Sequence, residues 1–231
     1  MAVIPFLETL SRILPFNNII ASQVIVQHLT LWIGFAGAMI ASNQNKLLSL
    51  NRSSLFNKEE QISLITFIPK LISFLVFIGL AYGSLELIKV EYQYPIDIAP
   101  YIPRWLAQSI MPFGFLLMAV NILFNSYHKF KHQLLFIVIT FILFFSPVIE
   151  IISNVLPIMP IGILLILFSL IMGAPIVVGL GGLSIFLFWY DFTPIAAIPT
   201  EAYRIVVSPT LPTIPLFTLA GYILAESKAS E

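Results

Sequence analysis

The chain has 231 residues, of which 59% are hydrophobic and 10% charged, and its eleven basic and eleven acidic residues cancel. A soluble domain carries roughly 25% charged residues, and no net field here points to nucleic acid. Residues 13–45, 105–128 and 205–225 contain no charge, and residues 132–190 contain only Glu150, so a soluble enzyme, a nucleic-acid binder and a disordered chain are all excluded.

Runs of this length match helices that cross a bilayer, which takes about 20 residues. The fold class expected is therefore all-α, a polytopic membrane protein of about five to seven membrane helices. Residues 1–14 are apolar, but Glu8 and Arg12 interrupt them. They are too short to span and form either an interfacial helix or the end of a cut span. A turn follows at Leu14–Asn18. Spans are expected over about 19–42, 62–88, 105–126 and 133–152.

The connections between them set the orientation. Loop 43–61 carries Lys46, Arg52 and Lys58, and loop 127–132 carries Lys129 and Lys131. Basic loops stay on the cytoplasmic side. The balanced, proline-bearing segment 89–104 then lies outside, as does 153–160.

The next apolar stretch, about 156–190, would measure roughly 52 Å as one helix. Gly173, Pro175, Gly181 and Gly182 sit inside it and predict a kink or break. It is one long tilted helix or two shorter ones. Residues 191–215 hold five prolines and are expected to form a loop or a re-entrant segment. Another helix begins near 214.

Some side chains stand out. His28 and Trp32 are four apart on the first span, with Gln27 adjacent. They are packing glue between helices or a polar patch on a transport path. Gly34 with Ala38, and Gly37 with Ala41, have the spacing that lets two helix backbones approach closely. Lys70 and Glu86 are sixteen apart on the second span, about 24 Å, and are expected to snorkel to opposite surfaces. Nucleophile-base pairs, HExxH and phosphate-loop patterns are missing, and there is no cysteine. This disfavours an enzyme, and no cofactor or metal site is expected.

Two stretches resemble one family, the membrane subunits of tripartite ATP-independent periplasmic (TRAP) transporters. Val26–Ala38, with Ala41 and Lys46–Leu50, resembles the small subunit, as do Ile102–Trp105 and Met111–Met118. Met172–Ile176, Gly179–Gly182 and Ile214–Glu226 resemble the start of the large subunit. The resemblance implies three parts: 1–130 as a small-subunit domain, 131–154 as a connecting membrane helix, and 155–231 as the opening of the large permease domain.

It further implies a multi-pass protein of the bacterial inner membrane that imports organic acids such as C4-dicarboxylates or sialic acids. Sodium would be the coupling ion. The partners implied are a periplasmic substrate-binding protein and the remainder of the large subunit. The family's substrate and ion sites are expected beyond Glu231, so none is assigned within the chain. A non-transporting membrane scaffold is the alternative.

Overall fold

The structure, a computed structural model, describes residues 22–50, 64–99, 102–126, 134, 137–138, 158–208 and 213–226. The piece 1–14, the turn 15–18, Arg52 and Lys58, loop 127–132, Glu150 and nearly all of the expected span 133–152 lie outside them. What is described is helical apart from a small hairpin, in keeping with an all-α polytopic membrane protein.

Helix α1 (Ser22–Asn43) is followed by α2 (Leu64–Gln93). Strands β1 (Asp97–Ala99) and β2 (Ile102–Pro103) pair antiparallel, with Asp97 opposite Pro103. Next come α3 (Arg104–Gln108), α4 (Ile110–Ser126), α5 (Ile158–Ile171) and α6 (Ile176–Tyr190). The described part ends with α7 (Ala197–Val206) and α8 (Thr213–Glu226). Among the described residues three stretches are long and apolar enough to cross a membrane: Val24–Asn43, Phe67–Gln93 and Arg104–Phe124.

Helix α2 is the hub, packed against α4, α5, α6 and α7. Its 30 residues measure about 45 Å, more than the roughly 30 Å of hydrocarbon. The helix thus runs past Ile88, the expected end of the span, and includes Lys89 and Glu91. Pro69 sits inside it and offers no N–H to the preceding turn. Ser73 and Ser84 are buried and donate to the carbonyls of Pro69 and Leu80, each at 2.7 Å. Back-bonding satisfies a hydroxyl that has no water to meet.

Lipid tails are as apolar as leucine, so close packing rather than expulsion from water holds such helices together. The core joins Phe77, Met111, Phe115, Ala119 and Val178. Phe35 meets Phe115 edge to face at 5.1 Å, and the Phe35 ring lies on Gly114 of α4, where a Cβ would overlap it.

The 156–190 stretch resolves into two helices, α5 and α6, folded back on each other. Gly162 receives Phe186, Gly182 meets Ile166 and Gly179 receives Leu170. Each step down α5 is a step back up α6, which makes the pair an antiparallel hairpin. Its turn is at Gly173, whose φ of 99° is open to glycine and strained for other residues. Pro175 caps the start of α6 in extended conformation and suits a position that needs no donor. The predicted break therefore falls at Gly173 and Pro175.

Gly181 and Gly182 do not break the helix, contrary to expectation. They lie inside α6, where added Cβ atoms would meet Leu80 and Val76 of α2 at 3.0 and 2.9 Å. Bare backbone there lets α6 sit close on the hub. The glycine pair is a packing surface, which a composition argument reads as looseness.

Segment 191–215, expected as a loop or a re-entrant piece, holds the ten-residue helix α7, so it is not loop throughout. Pro199 is the third residue of that helix, where backbone N–H groups have no intrahelical acceptor, so proline breaks nothing there.

Candidate functional site

Polar side chains collect at the two ends of the bundle. At the hairpin end, α1 contributes His28, α2 contributes Glu91, α3 contributes Arg104 and α7 contributes Tyr203. His28 is 7% exposed and Tyr203 8%. The His28 Nε2 atom lies 2.6 Å from the Tyr203 hydroxyl, and Nδ1 lies 2.7 Å from the Val24 carbonyl.

These contacts fix the proton positions. A carbonyl only accepts, so Nδ1 carries the hydrogen. In neutral imidazole Nε2 is then the acceptor, and the Tyr203 O–H donates to it. Burial pushes the Tyr203 phenol up to about 12, opposed by the nearby Arg104 charge and assisted by that of Glu91. The phenol thus stays protonated and able to donate.

Beside this pair, Arg104 Nη1 donates to Glu91 Oε1 at 3.2 Å. The Arg104 backbone N–H donates to the Ile96 carbonyl at 2.8 Å and closes the open end of the hairpin where α3 begins. Trp105 meets Tyr92 edge to face at 5.7 Å. Trp32, one turn beyond His28, donates from Nε1 to the Ala107 carbonyl at 2.9 Å. His28 and Trp32 therefore face different neighbours, α7 and α3. Each hydrogen bond joins two helices.

Gln27 is half-buried. Ala38 packs against the core. Gly34 and Gly37 are exposed, with no described atom within 4 Å of where a Cβ would stand. The glycine edge of α1 thus faces away from the described bundle. Gly173 and Pro175 lie at the other end of the bundle, with Lys46 and Lys70. There the Ile176 N–H donates to the Leu48 carbonyl at 2.9 Å, and Ser49 bridges to Pro175.

Tyr203 and Arg104 escaped notice as site residues in sequence. Tyr203 is 175 positions from His28, and no spacing signals a pairing that distant. Arg104 was legible as the charge before Trp105. Among the described residues no cluster of three His, Asp or Glu side chains is placed to hold a metal ion.

Helices of spanning length, hydroxyls bonded back to their own helix and polar pairs that tie helix to helix define an all-α polytopic membrane protein. A family model described as "Tripartite ATP-independent periplasmic transporters, DctQ component" matches residues 1–132, more than half of the chain. The chain belongs to this family and is a component of a tripartite transporter. Comparison with curated proteins gave no match.

Proposed function

We propose that the chain joins a small permease subunit, 1–130, to the opening of a large one, 155–231, through a connecting membrane helix at 131–154. In this reading it serves a sodium-coupled importer of organic acids in a bacterial inner membrane. Its substrates are C4-dicarboxylates, sialic acids or related carboxylates brought by a periplasmic binding protein. The end with Lys46 and Lys70 faces the cytoplasm by the positive-inside rule.

The observation that carries the reading is the fit of residues 158–206 to the family-matched part. Helix α6 lies on α2 along Gly181 and Gly182, and Tyr203 of α7 bonds His28 of α1. Segments that fold back on the small part with bonded, close-packed contacts support a fused unit that braces a carrier. The hairpin end exposes Tyr94, Ile96 and Ile102 beside Asp97, which supports docking of the binding protein there.

The test is uptake of a labelled carboxylate into proteoliposomes holding the chain with the remaining large-subunit sequence. Uptake is expected only with both an inward sodium gradient and the binding protein. Uptake with either one left out sinks the reading. Binding of the partner without uptake in any condition points to the scaffold.

A further inference from the structure

The α5–α6 hairpin is shorter than the layer it crosses. Its turn is level with the end of α1: the Ile176 N–H donates to the Leu48 carbonyl and Ser49 bridges to Pro175, a few residues past Asn43, where the first membrane stretch ends. From that boundary the 15 residues of α6 rise about 22 Å. The hydrocarbon layer measures roughly 30 Å. The far end of α6 therefore stops about 8 Å short of the opposite face, and tilt only stops it deeper.

The hub gives the same depth independently. Helix α6 runs parallel to α2, with Gly182 at Val76, Ile185 at Gly79 and Ile195 at Gly83. A Cβ on Gly83 would stand 3.0 Å from the Ile195 carbonyl oxygen. Gly83 is five residues before Ile88, the expected end of the span, which is about 8 Å along the helix. The turn between α6 and α7 thus lies inside the leaflet on the β-hairpin side.

The turn is built for such a place. Backbone donors have no water to meet in hydrocarbon. Asp191 donates to the Leu187 carbonyl at 3.0 Å, Phe192 to Trp189 at 3.2 Å and Thr193 to Phe188 at 2.8 Å. Pro194 follows and has no N–H. The last two bonds are those of a helix that closes on a left-handed residue, usually glycine. Here that residue is Phe192, with φ 54°, a conformation that strains a bulky side chain. Its ring is 97% exposed, so packing within the chain does not offset the strain. The ring continues a stripe of exposed side chains along α6, Leu180, Leu187, Trp189 and Tyr190. Tryptophan and tyrosine gather at the edge of the bilayer.

We propose that the α6–α7 turn is embedded in that leaflet and that Phe192 seats its ring among lipid acyl chains. Lipid is the partner because the ring extends the outward-facing stripe of α6 at a depth the bilayer occupies. Asp191, beside it, is exposed as well. A helix shorter than the layer draws the surface in toward it, which lets this carboxylate meet headgroups while the ring stays among the chains. The proposal needs only that the chain spans a membrane, so it stands apart from the carboxylate-import reading.

The chain has no cysteine, so Phe192→Cys accepts a single nitroxide label. The full chain is reconstituted in phosphatidylcholine bilayers. Collisions of the label with oxygen, which dissolves among acyl chains, are compared with those of a water-soluble nickel chelate. Leu180→Cys gives the lipid reference, and Tyr94→Cys, just past the end of α2, the water reference. The oxygen-to-nickel ratio at position 192 is expected to exceed that at 94 severalfold and to approach that at 180. A ratio equal to that at 94 puts the turn in water and overturns the proposal. Low collision rates with both reagents mean that protein covers the position, and overturn it as well. Tyr190→Cys, on the last turn of α6, supplies the same reading if Phe192→Cys fails to fold.

Discussion

The Tyr203 hydroxyl donates to Nε2 of His28 at 2.6 Å, so one hydrogen bond joins the first described helix to the seventh. His28 belongs to the part matched by the family model, and Tyr203 lies well beyond it. The bond is a direct tie between two regions that sequence analysis assigns to different subunits.

Removing the donor tests that tie. Tyr203→Phe leaves Nε2 of a buried imidazole without a partner, which costs about 1–3 kcal/mol. A double-mutant cycle with His28→Ala should give a coupling of about 0.6 kcal/mol, the average for bonds between membrane helices, and no more than about 1.7 kcal/mol. Thermal unfolding of the four proteins in one detergent measures it. A coupling of zero means the pair does not hold α7 to α1.

The pair also sets a pH dependence. The Tyr203 phenol is raised from 10 to about 12, first by burial. A group whose folded-state value lies above its unfolded one contributes stability below the unfolded value and loses it as pH rises through the folded one. The contribution should be whole below pH 10 and fade between pH 10 and about 12. Unfolding temperature against pH checks this, with Tyr203→Phe showing a shallower fall over that window.

Glycines separate into two kinds by what a side chain would meet. Gly182→Leu pushes into Val76 of α2, and Gly114→Leu into the Phe35 ring. Each should destabilise by about 1–3 kcal/mol. Gly34→Leu meets no described atom within 4 Å, so it should move stability by less than about 0.5 kcal/mol. Unfolding of the three variants gives the comparison. If Gly34→Leu instead disrupts co-purification with a membrane partner, the glycine edge of α1 is where that partner packs.

Trp32→Phe keeps the ring on α1 and removes the N–H that reaches the Ala107 carbonyl. The expected loss is about 0.6–1.7 kcal/mol, read from the same unfolding experiment. A loss near zero means the bond between α1 and α3 contributes nothing.

The helices were legible because lipid demands long, mostly apolar runs: α1 and α4 stand in charge-free runs, and α2 in an apolar one interrupted by Lys70 and Glu86. Gly173 and Pro175 were legible too, since proline and a left-handed glycine act on their own backbone. Gly181 and Gly182 were misread because their role depends on α2, about a hundred residues earlier. Only the packed structure shows that a missing side chain there is filled by Val76 and Leu80. His28 was visible as a polar residue in an apolar run, but its partner was not. Its tautomer follows only once Val24 and Tyr203 are both in place. Helix α7 was hidden by Pro199 and the prolines flanking it, since proline breaks a helix in its middle and not in its first turn.

The α5–α6 hairpin is held at both of its ends. Ser49 and Leu48 clasp its turn, and the helix that follows it is anchored to His28 through Tyr203. A segment pinned above and below cannot slide along the membrane normal past α2 unless both fastenings part. Residues 158–206 therefore behave as mounting, fixed to the same frame as α1 and α2.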